Sequence, residues 1–138
     1  MSDTDLLLRP VGVVASPLTD VDRAPNQGDE GAPDADLVFD PALAVATHDL
    51  AVGDVIVVLT WLHQSDRDVL AVHPRDDDRR PLTGVFSTRS PHRPNPIGLH
   101  EVVVIGVHDS RVRVRGLEAI DGTPILDVKP ALTPIPDR

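Results

Sequence analysis

The chain of 138 residues contains no cysteine and no tyrosine, and it has one tryptophan, two phenylalanines and a single lysine. The absence of cysteine excludes disulfides, thiolate nucleophiles and cysteine-ligated zinc. With so few aromatic rings the core must be aliphatic, and the many valines favour strands. No apolar run approaches the roughly 20 residues of a membrane span. Length and composition therefore predict one domain, residues 1–138, in a cytoplasmic protein without a membrane partner.

Negative charge is concentrated in the first half of the chain. The formal net charge is −9, and residues 1–60 carry two cations against eleven acids, whereas residues 61–138 carry eleven of each. Proteins that bind nucleic acid usually present a basic surface, so a nucleic-acid partner requires a local patch here. Arg111, Arg113 and Arg115 alternate with valines and project from one face of a strand. They form either such a patch or the solvated face of an amphipathic strand.

Short apolar segments with irregular links predict an all-β fold, a single-domain β-barrel with one short helix and long loops. The predicted strands cover residues 6–16, 55–63, 69–73, 84–88, 99–107, 111–115 and 125–128. The second of these is uniformly apolar, which predicts burial on both faces. A short hairpin connection is expected around Asp109, and the one helix is expected over residues 41–50. Residues 19–36 are expected to form a long acidic loop.

The most informative segment is residues 84–99, which read GVFSTRSPHRPNPIGL. Its three prolines fix backbone angles and remove amide donors, so the loop is stiff. Arg89 and Arg93 offer planar donor forks suited to carboxylate or phosphate, and Asn95 offers both a donor and an acceptor. Holding donors in place lowers the entropy cost of binding an anion. The segment predicts an anion-binding loop, the alternative being a rigid turn whose arginines pair with surface acids.

Asp127 and Lys129 form a second candidate pair, because residues two apart on a strand point to the same face. They either act on a ligand or form an exposed ion pair worth about 0–1 kcal/mol. The six histidines show no metal-ligand spacing, so no metal site is predicted. A Ser-His-Asp hydrolase is disfavoured because Pro91 follows Ser90 where a nucleophile elbow needs an amide.

Several segments in chain order resemble the TrmO/TsaA-like methyltransferases over about residues 11–133. These are the Gly-Val-x-x-Ser-Pro segment ending at Pro17, Pro25-Asn26-Gln27, Trp61-Leu62-His63-Gln64, the Gly84 to Gly98 motif, and Asp121 to Pro130. The resemblance implies a β-barrel that binds S-adenosylmethionine and forms a homodimer. It further implies methylation of N6 in a threonylcarbamoylated adenosine beside the tRNA anticodon.

The resemblance also implies roles for individual residues. The methionine carboxylate of the cofactor is expected near the loop from Arg89 to Ile97, with adenine held near Phe86, Leu99 or the segment after Asp121. The expected catalytic residues are Asp127, Lys129 and His63, and the proton acceptor is His63, His92 or Asp127. The expected cofactor-binding residues are Phe86, Arg89, Ser90, Arg93, Asn95, Pro96, Ile97, Leu99, Gln27 and Gln64.

Two departures from the family pattern bear on the substrate. The family's Pro-Arg-Gln element is Pro25-Asn26-Gln27 here, and acids follow it at Asp29 and Glu30. The chain also stops soon after Lys129, whereas the bacterial tRNA enzyme carries an additional C-terminal domain, which we do not expect here. The acceptor is therefore either the tRNA adenosine or a small molecule. A non-catalytic cofactor-binding or interaction module is the third alternative.

Overall fold

The computed structural model describes residues 5–19 and 31–132, which form a closed six-stranded antiparallel barrel and a small two-stranded sheet. The strands are β1 (Gly12–Ala15), β2 (Ala35–Phe39), β3 (Val55–Trp61), β4 (Ala71–Val72), β5 (Thr83–Gly84), β6 (Ile97–His108), β7 (Arg111–Val114) and β8 (Pro124–Pro130). The order around the barrel is β1-β2-β7-β6-β3-β8, and β4 pairs with β5. The predicted all-β fold is confirmed.

Alternation of side chains across each strand fills the barrel with aliphatic residues. On β3, Ile56, Val58 and Thr60 are buried, while Val55 remains 40% exposed. The prediction that this strand is buried on both faces was therefore wrong, because its outer face is not covered by a second layer. The predicted aliphatic core is confirmed; its members are Val14, Ala35, Leu37, Phe39, Ile56, Val58, Val102, Val104, Val112, Val114, Leu117, Ala119 and Ile125.

Several local predictions differ from the structure, and the strand expected over residues 6–16 is confined to Gly12–Ala15. Most of the expected loop, residues 20–30, lies outside the described residues, and its last two positions already belong to β2. The alternation of Ala35, Leu37 and Phe39 with outward residues is a strand signal that was not recognised in the sequence. The expected strand over residues 84–88 is instead the end of β5 followed by a 3₁₀ turn, Val85–Ser87. The expected helix is a 3₁₀ turn, Pro41–Leu43, and one α-helical turn, α1 (Ala44–Thr47).

The predicted connection between β6 and β7 is confirmed as a two-residue hairpin in which Asp109 adopts a φ of 54°. The side chain of Asp40 caps the first helical turn by accepting a hydrogen bond from the Ala42 amide at 3.0 Å. Within residues 5–19 and 31–132, no helix is long and apolar enough to span a membrane.

Candidate ligand-binding site

The predicted anion-binding loop packs against the segment that follows β3. We call residues 85–97 the motif loop. The amide of Leu62 donates to the Pro96 carbonyl at 2.8 Å, and the amide of Arg93 donates to the Asp66 carbonyl at 3.0 Å. The amide of Asp66 donates to Nδ1 of His92 at 2.9 Å. These bonds place the motif loop beside His63 and Gln64 at the end of the barrel where β3 stops and β6 begins, which we call the polar end.

Arg67 ties the two segments together through its side chain. Its guanidinium lies 5.1 Å from the centroid of the Trp61 ring, in a cation–π contact. The same group donates to the Pro94 carbonyl at 2.7 Å and to Oδ1 of Asn95 at 2.8 Å. The Asn95 oxygen is therefore engaged within the protein, whereas its amide group makes no bond with a described residue. Arg67 is a positioning residue that the sequence analysis did not identify.

The two arginines of the motif loop have different environments. Arg93 donates through its two terminal nitrogens to the carbonyls of Thr88, Ser90 and Val85, at 3.1, 3.0 and 2.6 Å. Its donors therefore hold the loop in shape instead of standing free, contrary to the expectation that both arginines offer open forks. Arg89 is exposed and forms no hydrogen bond or ion pair with a described residue, so it is the cation available to a ligand.

The other motif-loop residues expected to bind cofactor are placed on or under the loop surface. Ser90 hydrogen-bonds within the loop, where its hydroxyl accepts from the His92 amide at 3.2 Å. Pro96 is buried, whereas Phe86 is 84% exposed. Ile97 and Leu99 point outward from β6 and are 42% and 48% exposed. Phe86, Ile97 and Leu99 thus offer apolar surface on the motif loop and at the start of β6, whereas the buried Pro96 acts through packing.

A small cavity of about 50 Å³ opens at the polar end. The cavity brings the predicted residues His63 and Gln64 together with residues 118–120, to which no site role was assigned from the sequence. The lining residues are Leu62, His63, Gln64, Ser65, Glu118, Ala119, Ile120 and Thr123. The signal for that segment was present in the Asp-Gly-Thr-Pro motif, but nothing in the sequence showed that the residues just before it reach the same cavity.

The Gly-Val-x-x-Ser-Pro segment, which ends at Ser16 and Pro17, also lies at this end of the barrel. The amide of Ser16 donates to Oδ1 of Asp121 at 2.9 Å, and the amide of Asp121 donates to the Leu18 carbonyl at 2.6 Å. Gly122 has a φ of +81°, a conformation that glycine adopts without steric cost. Motifs separated by a hundred residues therefore close one turn beside the cavity.

Beneath the cavity lies a hydrogen-bonded chain of three side chains. Oγ1 of Thr60 is 2.7 Å from Nε2 of His100, and Nδ1 of His100 is 2.5 Å from Oε1 of Glu118. Thr60 is fully buried, His100 is 5% exposed, and Glu118 also lines the cavity. Within the described ranges, no three histidine, aspartate or glutamate side chains gather as ligands for a metal ion.

Asp127 and Lys129 lie elsewhere. Their side chains pair at 3.2 Å and remain 53% and 65% exposed. They border a larger cavity of about 450 Å³ under α1, at the end of the barrel where β3 begins, which we call the apolar end; its other lining residues are Val11, Phe39, Leu43, Ala46, Thr47, Asp49, Leu50, Asp54, Val55, Ile56, Val128 and Pro130. Within one chain, the structure does not bring this pair to His63. Gln27 lies outside the described residues.

The chain is similar to known proteins along nearly its whole length. Residues 13–136 match the tRNA-methyltransferase O N-terminal domain. A probable S-adenosyl-L-methionine-binding protein of Methanothermobacter thermautotrophicus is 44% identical over 94% of the chain and 93% of the relative. An S-adenosyl-L-methionine-binding protein of Archaeoglobus fulgidus is 39% identical over 90% of the chain and 88% of its own length.

Solved structures give the same result. The crystal structure of TrmO from Pseudomonas aeruginosa superposes with a TM-score of 0.75 at 26% identity over 98% of the chain. A second TrmO crystal structure superposes with a TM-score of 0.75 at 28% identity over 100% of the chain. The chain spans 61% and 62% of those two proteins. The domain match, the relatives and the shared barrel show that the chain belongs to the tRNA-methyltransferase O family.

Proposed function

We propose that the protein is an S-adenosylmethionine-dependent methyltransferase that binds its cofactor at the polar end of the barrel. The observation that carries the proposal is the meeting of His63, Gln64 and Glu118 at one cavity beside a loop whose Arg89 has no described partner. The domain match and the names of the relatives support it. The larger cavity at the apolar end has more volume, yet its lining is mostly aliphatic and lacks this set of polar groups.

The residues at the polar end fit the chemistry of this cofactor, which carries a carboxylate, an ammonium group and a sulfonium. Arg89 is suited to the carboxylate, because guanidinium donors match carboxylate geometry. The carboxylate of Glu118 suits a cationic group, and the Gln64 amide can donate and accept. The 50 Å³ cavity has room for only one polar group of such a ligand, so the remainder has to bind outside it.

When bound, the cofactor supplies a methyl group on a positively charged sulfur. The task of the chain is then to align the acceptor with that group and to exclude water. An acceptor nitrogen conjugated to a carbonyl is a weak nucleophile, so a proton acceptor accelerates the reaction. His63 is exposed at the cavity and has no described hydrogen-bond partner, whereas Nδ1 of His92 already accepts from Asp66. We therefore assign the role of proton acceptor to His63.

As methyl acceptor we propose N6 of a threonylcarbamoylated adenosine in tRNA, which places the enzyme in the cytoplasm. The outer face of β7 supplies a basic surface: Arg111 and Arg113 share Asp36, at 2.7 and 3.2 Å, and Arg115 is exposed without a described partner. Three arginines against one aspartate leave net positive charge for phosphates, as nucleic-acid binding requires. A small-molecule acceptor remains the second candidate, favoured by the chain's net charge of −9.

We also propose a homodimer formed through the outer face of β3 and β6. Val55, Ile97 and Leu99 on this face are 40–48% exposed, and they flank Leu59, which pairs with Leu99 across the strands. Asp127 pairs with Leu59 on the other side and therefore borders the same face. A symmetric dimer would present Asp127 and Lys129 to the partner, so the catalytic role expected for them is proposed to act across the interface.

Titration calorimetry with S-adenosylmethionine and S-adenosylhomocysteine tests the cofactor, and transfer of labelled methyl tests the acceptor. We expect binding of both ligands and methylation of tRNA that carries threonylcarbamoyladenosine, but not of the same tRNA without it. Methylation of neither tRNA, together with tight cofactor binding, would move the small-molecule acceptor to first place. Replacing Leu99 by Asp is expected to yield a monomer in sedimentation analysis.

A further inference from the structure

We propose that His100, anchored by Thr60, is a positioning residue that holds the Glu118 carboxylate at the ligand cavity. The inference rests on the proposed function, because it names the device that orients one side chain of that binding site. His100 is buried inside the barrel and lines no part of the cavity itself, so it acts on a ligand through Glu118.

The geometry allows His100 little freedom. Its ring is fixed at both nitrogens, by Thr60 on β3 and by Glu118 on the segment after β7. Glu118 uses Oε1 for this bond, no described residue bonds to Oε2, and the side chain lines the cavity. One carboxylate oxygen is therefore held from below while the other remains available to a ligand.

The hydrogen bonds define a direction along the chain. All polar groups are satisfied when the Thr60 hydroxyl donates to Nε2 and the Nδ1–H group donates to Glu118. Among the described residues, no buried side-chain nitrogen or oxygen lacks a partner. In this arrangement the Glu118 carboxylate, which can only accept, requires the tautomer of His100 with hydrogen on Nδ1, and the Thr60 hydroxyl, which can donate or accept, donates to Nε2.

The placement of these polar groups argues against simple core filling. In the described part of the chain, the buried polar side chains are Thr60, His100 and Thr123, and all three lie at the polar end. Their barrel neighbours Val58 and Val102 are aliphatic. An aliphatic pair would fill the same space without desolvating polar groups, which costs free energy unless every bond is made.

Gly98 shows that the strand is shaped around this chain of side chains. A Cβ atom at Gly98 would lie 2.6 Å from Nε2 of His100 and would also collide with Oγ1 of Thr60. The glycine of the Pro-Ile-Gly motif is thus explained by the space that the Thr60–His100 contact occupies. Nothing at this position requires a positive φ, so the need is for room alone.

The test is a double-mutant cycle read by titration with S-adenosylmethionine and S-adenosylhomocysteine. Glu118→Gln removes the charge but keeps the shape, and we expect roughly tenfold weaker binding of at least one ligand. His100→Leu is expected to weaken binding about fivefold or more in the native background and to add little in the Glu118→Gln background. His100→Asn, which keeps a donor near Nδ1, should restore part of the loss.

Val102→Ala, on the same strand and the same interior face, is the control for loosening of the barrel. It should lower the unfolding midpoint and leave ligand affinity unchanged. The inference is overturned if Val102→Ala weakens binding as much as His100→Leu, or if His100→Leu costs the same affinity with and without Glu118.

The two proposals fail in different ways. If the native protein binds neither ligand, the proposed function is wrong, and the contact itself is then tested by ¹⁵N NMR of the His100 ring. We expect a protonated Nδ1 and an accepting Nε2 in the native protein, with a changed Nδ1 resonance in Glu118→Gln. An unprotonated Nδ1 would overturn the positioning role without reference to any ligand.

Discussion

The two ends of the barrel differ in what they offer a ligand. The apolar end has the larger cavity, about 450 Å³, but it is lined mainly by aliphatic side chains and bordered by acids and one lysine. The polar end has a cavity of only about 50 Å³, yet it gathers His63, Gln64 and Glu118 near the motif loop, whose Arg89 has no partner among residues 5–19 and 31–132. Volume alone favours the apolar end, whereas the polar groups that recognition of a charged cofactor depends on favour the polar end proposed above.

The difference has a structural cause. At the polar end, the irregular segments after β3, before β6 and before β8 are held by side-chain bonds, including those of Arg67, Arg93 and Glu118. At the apolar end, α1 contributes only Ala46 and Thr47 to the lining of the cavity, and none of its residues is buried. The bonds at the polar end hold its donors in place, so they can face a ligand without reorganising.

The largest effect is expected from Gly98→Ala, which disrupts the polar end from inside. The added methyl group would displace His100 or Thr60, so overpacking and lost buried hydrogen bonds together should lower the free energy of unfolding by about 3 kcal/mol. Urea denaturation measures this change. Ligand binding should fall with it, because Glu118 loses its anchor.

Gly106→Ala is the matched control on the same strand. Its added methyl group would meet only the Cβ of Arg113, at 3.6 Å, which is ordinary contact. We expect a change of less than about 1 kcal/mol in either direction. Equal losses of stability in Gly98→Ala and Gly106→Ala would show that a methyl group added at either glycine of β6 is destabilising. The contact with His100 would then not be the reason.

A smaller loss of stability, about 2 kcal/mol, is expected from Thr60→Val. The substitution keeps the shape of the side chain but leaves Nε2 of His100 buried without its partner. Thr83→Val, which removes a hydroxyl from the half-buried strand β5, should change stability by less than about 0.5 kcal/mol. Thermal and urea unfolding of both variants compare the buried hydroxyl with the accessible one.

Substitutions of the two motif-loop arginines should distinguish a residue that binds the ligand from a residue that holds the motif loop in its conformation. Arg89→Ala is expected to weaken S-adenosylmethionine binding about tenfold without changing stability, since Arg89 has no described partner. Arg93→Ala should weaken binding and also speed amide exchange over residues 85–97, because three carbonyls lose their donor. Titration calorimetry and hydrogen exchange measure the two effects.

Arg79→Ala provides the charge-matched control for these arginines. Arg79 pairs with Asp77 at 2.9 Å in the turn between β4 and β5, and its hydrogen bonds lower the pKa of the Asp77 carboxyl. Neither binding nor exchange in the motif loop should change in this variant. An equal loss of affinity in Arg79→Ala and Arg89→Ala would mean that net charge, not a specific contact, governs binding.

The strands of the barrel could be predicted because they depend on local patterns, and the same kind of pattern made the motif loop a candidate site. The alternation of valines with other residues predicts strands directly, and closely spaced prolines predict a stiff loop whatever its position in the fold. The sequence did not predict which arginine is free, because Arg93 and Arg89 differ only in which carbonyls come within reach after the loop folds. Glu118 and His100 were missed for the same reason, since 18 positions separate them and β7 lies between them.

The smallest effect on stability is expected from Lys129→Met at the apolar end. The Lys129–Asp127 pair is exposed, so breaking it should cost less than about 1 kcal/mol, and cofactor affinity should not change because the pair lies away from the polar end. Any loss of methyl transfer would therefore belong to the catalytic step.

Mixing then tests whether that step acts across subunits. The assay uses an S-adenosylmethionine concentration between the dissociation constants of the native protein and of Arg89→Ala, where this variant has little activity. In a random mixture of Lys129→Met and Arg89→Ala proteins, half of the dimers carry one of each, and one of their two sites is intact, so about a quarter of native activity should return. If each variant is inactive alone and mixing restores no activity, Lys129 acts within its own chain. Full activity of Lys129→Met alone would mean that Lys129 contributes nothing beyond its ion pair with Asp127. His63 at the polar end would then be the candidate for the catalytic role.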